Sequence, residues 1–225
     1  MLDPWSVDLW LADLDVDVGS AESILSPDEV SRASRLLVEV ARRRFVLSRA
    51  ALREILASYL GSEPWKIAIS YADHGKPSLD RSGPRFNVSH SGTRALIAVS
   101  EREVGVDIEG VRRLRDAEAV SRRYYSPREL AQLGPANADG EWLNRFYVVW
   151  TRKEACLKTV GLGLRFELRD ICVAGPSPVT TDVAGHSLVV HDVDVGGDYR
   201  AAAATHEPGI RLRTWKWSSE TAARP

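Results

Sequence analysis

The sequence predicts an α+β protein made of two lobes of similar size. Helical periodicity occurs in both halves of the chain, apolar β-branched stretches of strand length lie between the helices, and turns rich in Gly and Pro separate most of these stretches. Each half therefore contains helices and a few strands, which we expect to pair mostly in antiparallel fashion. We place the lobes at residues 1–103 and 104–225, and no internal sequence repeat is evident.

The first half begins with a strand at 5–13, where apolar residues alternate with a period of two. A helix follows Ser26, because Ser at the cap, Pro27 at the first position and acidic residues in the first turn are typical of a helix start. Helical periodicity continues, with one candidate break near Arg42–Arg44, to Leu60, where Gly61 ends it. Further strands are predicted at 67–71, 86–89 and 95–100.

The second half begins with a strand at 104–108. Residues 112–134 favour two short helices, and Ser126 with Glu129 three residues later forms a capping box at the start of the second. The strongest helical pattern covers residues 141–160. Strands are predicted after it at 170–173, 187–193, 199–204 and 211–217.

Composition excludes several functional classes. The 225 residues carry a formal net charge of −1, which argues against nucleic acid or an anionic membrane as the main partner. Cys156 and Cys172 are too few for a disulfide framework and lack zinc-ligand spacing. No apolar run is long enough to span a membrane, and the acidic N-terminus differs from a signal peptide. We therefore expect a cytoplasmic protein.

Two carboxylates lie on one predicted strand. Side chains two residues apart share a face of a strand, so Asp107 and Glu109 point one way while Val106 and Ile108 point into the core. Paired carboxylates repel each other unless a cation lies between them or water surrounds them. Their hard oxygen atoms suit Mg²⁺ or Mn²⁺. The alternative is an ordinary strand with one face exposed to solvent.

The helix at 141–160 carries a second set of candidate residues. Trp150, Glu154 and Lys158 are spaced i, i+4, i+8 and form one stripe. A Glu–Lys pair at this spacing is also an ordinary surface pair. Because the helix is rich in aromatic and β-branched residues, however, we expect the stripe to be largely buried, where the carboxylate needs a cation and the lysine an anion.

A third motif, at residues 86–92, is a strand that runs into a polar turn and is a plausible cradle for an anion. Ser89 and His90 cannot act as nucleophile and base, because adjacent strand residues face opposite ways. A Ser-His-Asp hydrolase is therefore disfavoured. Lys76 adds a cation on a stiff turn, although such turns often have no other role.

These motifs, taken in order, resemble those of the Sfp-type 4′-phosphopantetheinyl transferases. The resemblance implies two α+β lobes related by a pseudo-twofold axis, with coenzyme A in the cleft. It also implies transfer of the phosphopantetheine arm to a serine of an acyl or peptidyl carrier protein, with release of adenosine 3′,5′-bisphosphate. The matching motifs are Gly75-Lys76-Pro77, Phe86-Asn87-Val88-Ser89-His90-Ser91, Gly105-Val106-Asp107-Ile108-Glu109, and Trp150-Thr151-Arg152-Lys153-Glu154-Ala155 with Lys158.

The resemblance assigns roles to matching residues. Asp107, Glu109 and Glu154 would hold Mg²⁺, with Mn²⁺ as the alternative ion, against the pyrophosphate of coenzyme A. Glu154 would take the proton of the carrier serine, directly or through water, and Lys158 would neutralise or protonate the departing phosphate. The coenzyme A phosphates would be bound by Arg44, Lys76, Ser89 and His90, with His90 at the 3′-phosphate and with Arg32 and Arg35 as further candidates.

The chain departs from the family in the early helix, where lysines are common and this sequence has Glu29 and Arg32. Residues 111–130 hold six arginines against three acidic residues in a chain of net charge −1. Because carrier domains are generally acidic around their serine, we expect this segment to dock them by charge, the alternative being a solvated helix. The proposed docking residues are Arg112, Arg113, Arg122, Arg123 and Arg128.

Two other functions are compatible with parts of the sequence. The same carboxylates could serve another Mg²⁺-dependent phosphotransferase or a pyrophosphatase, although a simple pyrophosphatase would not need the motif at 86–91. A non-catalytic module that binds coenzyme A or carrier protein is disfavoured by the intact acidic residues and Lys158. We expect a monomer that serves polyketide or nonribosomal peptide synthesis, with no nucleic-acid or membrane partner.

Overall fold

A computed structural model describes residues 2–71, 76–79, 83–136, 140–161 and 166–218. The predicted α+β class is confirmed. The helices are α1 (Pro27–Ser34), α2 (Glu39–Leu60), α3 (Ala117–Tyr124), α4 (Pro127–Leu133) and α5 (Gly140–Val160). The strands are β1 (Ser6–Asp13), β2 (Ser70–Tyr71), β3 (Pro77–Ser78), β4 (Arg85–Ser91), β5 (Arg94–Ser100), β6 (Val104–Gly110), β7 (Val179–Val183), β8 (His186–Val193), β9 (Tyr199–Thr205) and β10 (Arg211–Trp217). No helix within these ranges is both long and apolar enough to cross a membrane.

The first compact unit consists of the chain up to Glu101 together with β10. Its main sheet has the order β10-β1-β5-β4, in which β1–β5 and β5–β4 are antiparallel and β1–β10 is parallel. The buried side of α2 forms its core with β1 and β5, through residues such as Leu47, Ile55, Trp10 and Ile97. The small β2–β3 pair is antiparallel and separate from this sheet.

The assignment of residues 104–225 to one lobe differs from the structure at its C-terminal end. Fully buried Asp8 on β1 accepts hydrogen bonds from Arg213 Nε at 2.6 Å and Trp215 Nε1 at 3.1 Å. Two residues later on β10, Trp217 Nε1 donates to Glu54 on α2 at 2.8 Å. These buried polar contacts attach β10 to the first unit, so the second unit is Arg102–Ile210.

The second unit is an antiparallel sheet, β6-β9-β8-β7, covered on one face by α5. Aromatic side chains dominate the core on the other side of α5: Phe146 stacks on Trp142 with ring centroids 5.7 Å apart and on Tyr125 at 5.4 Å. The buried Tyr125 hydroxyl donates to Phe146 O at 2.7 Å. This core holds α5 over the sheet and thereby sets the positions of the side chains that α5 carries.

The predicted strand at 170–173 is wrong, and β7 was not predicted. The polar groups of this segment bind charged side chains instead of another strand. Ile171 O accepts from Lys153 Nζ, Val173 O accepts from Arg152 Nη1 at 2.8 Å, and Val173 N donates to Glu129 at 2.8 Å. Short apolar stretches do not reveal such partners, because the pairing groups lie far away in sequence.

The two units share a structural pattern that the search for sequence repeats missed. Ser26 and Ser126, 100 residues apart, both begin a helix with a complete capping box. In each case the glutamate of that box, Glu29 or Glu129, pairs with a buried cation 24 residues later on the long helix of the same unit. Arg53 Nε lies 2.5 Å from Glu29, and Lys153 Nζ lies 2.8 Å from Glu129. The repeat is therefore carried by few residues, too few to stand out in sequence.

Candidate active site

The site begins with an unusually close contact between β6 and α5. A Cβ added to Gly105 would lie 2.2 Å from Ala155 O and 2.4 Å from Thr159 N, so no other residue fits there without displacing the backbone of α5. Thr159 Oγ1 lies within hydrogen-bond distance of two acceptors, Ala155 O at 2.8 Å and Ala204 O on β9 at 3.0 Å, so its single proton can bond either the helix or the sheet at this point. Sequence analysis included Gly105 in a motif but did not assign it this role.

This contact sets the direction of the carboxylates on β6. Because side chains two residues apart share a face, Asp107 and Glu109 lie on the face of Gly105 and therefore face α5. Lys158, one residue before Thr159, reaches back to Asp107, with Nζ 2.7 Å from Oδ1. The Asp107 side chain is only 6% exposed and that of Lys158 is 29% exposed. The alternative of a solvent-exposed strand therefore does not apply to Asp107.

Glu154 lies one turn before Lys158 and shares this electrostatic environment. Burial raises the pKa of Glu154, and the negative charges of Asp107 and Glu109 raise that pKa further, while the positive charge of Lys158 acts in the opposite direction. The carboxylates of Asp107 and Glu109 on β6 therefore repel that of Glu154, which is distant from them in sequence, across the contact between β6 and α5. We call Asp107, Glu109 and Glu154 together with Lys158 the carboxylate site.

Glu109 has neighbours that sequence analysis did not find. Arg200 lies directly opposite it in the β6–β9 register, and Arg200 Nη2 donates to Asn144 Oδ1 on α5 at 2.7 Å. Tyr147 on α5 is buried, which raises the pKa of its hydroxyl, and the charge of Glu109 adds to that effect. Asn144, Tyr147 and Arg200 thus surround the half-buried end of β6. Asn144 and Tyr147 share a helix with Glu154, which alone is a weak sequence signal, and Arg200 on β9 has no such signal.

The carboxylate site fits a divalent cation in its chemistry. All three acidic side chains offer hard oxygen atoms, and their mutual repulsion is the condition that a cation relieves. In the described part of the chain, however, no three His, Cys, Asp or Glu side chains are arranged closely enough to hold one metal ion. The ammonium group of Lys158 is the cation seen against Asp107.

Two other charged residues of the same motif bind elsewhere in the second unit. Arg152 forms a two-pronged pair with Asp192, at 2.7 Å for each nitrogen, and also donates to Gly175 O. Lys153 is fully buried and pairs with Glu129. These residues hold α5 in place, so two members of the motif support the helix next to Glu154.

Comparison with known proteins identifies the family. Residues 103–204 match the profile described as the 4′-phosphopantetheinyl transferase superfamily, and residues 14–102 match that of a 4′-phosphopantetheinyl transferase N-terminal domain. The chain is 38% identical over 187 residues to 4′-phosphopantetheinyl transferase HetI of Nostoc, covering 79% of this chain and 78% of that protein. The chain belongs to the 4′-phosphopantetheinyl transferase family.

Other relatives agree with this assignment. A putative 4′-phosphopantetheinyl transferase of Synechocystis is 34% identical, covering 72% of this chain and 68% of its own length. 4′-Phosphopantetheinyl transferase Sfp of Bacillus subtilis is 27% identical, covering 67% of this chain and 66% of its own. The protein is thus a phosphopantetheinyl transferase, of a family that uses coenzyme A as substrate and acts on carrier proteins.

The residues expected to contact coenzyme A all lie in the first unit of this transferase. Arg44 is half-buried on α2, and its Nε is buried without a hydrogen bond to any described residue. Lys76 is half-buried just before β3, while Gly75 lies outside the described residues. Ser89 is buried on β4, whereas His90, on the opposite face of the same strand, is exposed.

Replacing Gly105 with Ala should destabilise the protein. The new methyl group meets the backbone of α5, so we expect a loss of about 1–3 kcal/mol in the free energy of unfolding, as for other overpacked sites. Denaturant unfolding measures it. Gly140→Ala is the control, because a Cβ at that helix position meets nothing within 4 Å. Equal stabilities of the two variants would contradict the close contact.

Glu154→Gln should stabilise the metal-free protein at neutral pH. The pKa of Glu154 is raised in the folded protein, so above that pKa its ionised carboxylate destabilises the folded state. The neutral amide of glutamine removes this destabilisation. The difference in Tm, measured in EDTA, should shrink as pH falls through the raised pKa and vanish below the ordinary pKa of glutamate. Glu141→Gln, exposed at the start of α5, is the control. A variant less stable than the parent protein at neutral pH would contradict the repulsion.

Proposed function

We propose that this enzyme transfers the 4′-phosphopantetheine arm of coenzyme A to a serine of acyl or peptidyl carrier proteins, and that Asp107, Glu109 and Glu154 hold the Mg²⁺ that the reaction requires. The observation that carries the proposal is the close β6–α5 contact, which turns the carboxylates of Asp107 and Glu109 toward the helix that carries Glu154 and brings Lys158 Nζ to 2.7 Å from Asp107. The bound cation would offset the charge that develops on the pyrophosphate. Service in polyketide or nonribosomal peptide synthesis stays a prediction.

Glu154 is the proposed general base. Transfer forms a bond between the serine oxygen and the phosphorus that carries the pantetheine arm, and it breaks the bond from that phosphorus to the departing adenosine 3′,5′-bisphosphate. The serine proton passes to Glu154, directly or through water. One oxygen of Glu154 must remain free for this task.

Lys158 is the proposed acid or counter-charge for the departing phosphate. It lies one helical turn after Glu154 on the same face of α5, so base and cation are fixed relative to each other by the helix. Fixed charges of this kind lower the barrier because they need no rearrangement during the reaction.

Arg44, Lys76, Ser89 and His90 are proposed to bind the phosphates of coenzyme A, with His90 at the 3′-phosphate. The buried Nε of Arg44 supports this, since a guanidinium donor without a described partner is suited to an anion. The exposed position of His90 leaves its ring accessible to a ligand. Arg32 is exposed and lies over the rings of Phe45 and Tyr71 at 5.7 and 5.8 Å, and its phosphate role stays a prediction, as does that of Arg35.

Residues 111–130 are proposed to dock the carrier protein. Arg112, Arg113, Arg122, Arg123 and Arg128 are all exposed. Arg123 lies 5.3 Å from the ring of Tyr124, and the edge of that ring contacts Trp150, one turn before Glu154 on α5. The arginine-rich segment therefore contacts the helix that carries the proposed base. We further propose a monomer that acts in the cytoplasm, in keeping with its free cysteines.

Incubation of apo carrier protein with coenzyme A and Mg²⁺ tests the reaction. Mass spectrometry should show an adduct of the phosphopantetheine mass on the carrier. Glu154→Gln and Asp107→Ala should fold normally and lose more than about a hundredfold in turnover, as expected for groups that stabilise charge in the transition state. Glu141→Gln should keep turnover. A carrier that stays apo with several carriers tried, or full activity of Glu154→Gln, would contradict the proposal.

The combined change of Arg122 and Arg123 to Glu should raise the carrier KM severalfold through charge repulsion, and it should leave the KM for coenzyme A unchanged. Steady-state kinetics at two salt concentrations measure both effects. A control with equal charge change combines Arg169→Glu and Lys216→Glu, two exposed positions outside the segment. Unchanged carrier kinetics in the Arg122/Arg123 variant would refute the docking surface.

A further inference from the structure

Lys158 has a task at the carboxylate site that its role toward the departing phosphate does not explain. Its Nζ lies 2.7 Å from Asp107 Oδ1, so the ammonium group is directed at a proposed metal ligand. Asp107 is nearly fully buried, and a buried carboxylate is costly without a cation beside it. Without metal, Lys158 supplies that cation.

The charge of Lys158 also reaches Glu154, where it opposes the effects of Asp107 and Glu109 on the pKa. One lysine therefore offsets part of the repulsion within the whole set of carboxylates. Arg200, which lies across from Glu109 in the β6–β9 register and donates to Asn144, is a further cation near the site.

A divalent ion and the ammonium group of Lys158 repel each other when both lie against Asp107, even if they contact its two different oxygen atoms. Mg²⁺ binds carboxylate oxygen at about 2.1 Å, whereas the ammonium nitrogen lies at 2.7 Å from the same carboxylate. Two cations at these distances would be only a few ångströms apart. Since the side chain of Lys158 is flexible and partly exposed, its ammonium group is the cation that can move.

We infer that Lys158 is an internal substitute for the metal: it neutralises Asp107 in the metal-free enzyme, competes with the divalent ion for that carboxylate, and moves to the phosphate when the ion binds. This inference rests on the proposed function.

Titration of the enzyme with Mn²⁺, without coenzyme A or carrier, tests the competition, with free Mn²⁺ measured by electron paramagnetic resonance. Lys158→Met should bind Mn²⁺ roughly tenfold more tightly than the unmodified enzyme, because a neighbouring like charge shifts such equilibria by about this factor or more. Lys158→Arg keeps the charge and should bind close to normally. Lys216→Met, an exposed lysine on β10, is the matched control.

Thermal unfolding provides a second measurement. In EDTA, Lys158→Met should have a lower Tm than the unmodified enzyme, because Asp107 loses its cation, and saturating Mn²⁺ should remove the difference. Equal or weaker Mn²⁺ binding by Lys158→Met, or no binding by either protein, would overturn the inference. The proposed function is judged separately, since it fails only if the unmodified enzyme leaves carrier proteins apo in the presence of coenzyme A and Mg²⁺.

Discussion

The close packing of α5 on β6 at Gly105 is the constraint on which the candidate site depends. Because Gly105 has no side chain, the backbones of Ala155 and Thr159 approach the strand directly. The strand period then turns Asp107 and Glu109 toward the helix, and the helix period turns Glu154 and Lys158 toward the strand. The geometry of the candidate site therefore depends on a steric requirement at Gly105, a residue that has no side-chain functional group.

Neighbouring residues on α5 divide structural and chemical work between them. Lys153 is fully buried and satisfies Glu129, which in turn caps α4 and binds Val173 N. Glu154, the next residue, faces the carboxylates of β6. The first unit has the same arrangement of Arg53 with Glu29. There, however, the residue after Arg53, Glu54, accepts a hydrogen bond from the indole of Trp217. The two units thus share a supporting pair and differ in the use of the adjacent acid.

Much of this was predictable from sequence, and the misses have physical causes. Capping boxes and strong periodicity placed α1, α4 and α5, because these signals are local. The segment at 170–173 and the membership of β10 were missed, because both depend on buried polar partners such as Asp8 and Glu129 that are distant in sequence. At the site, residue types suggested the acids, but only coordinates reveal that Lys158 contacts Asp107 and that Arg200 faces Glu109.

The central claim is that one divalent ion is held by acidic side chains of both β6 and α5. The most direct measurement is anomalous X-ray diffraction from crystals of the enzyme grown with Mn²⁺ and coenzyme A. We expect one manganese peak at coordination distance from oxygen atoms of Asp107, Glu109 and Glu154, with Lys158 turned away from Asp107. A peak bound by other side chains, or one that leaves Glu154 outside the coordination sphere, would contradict it.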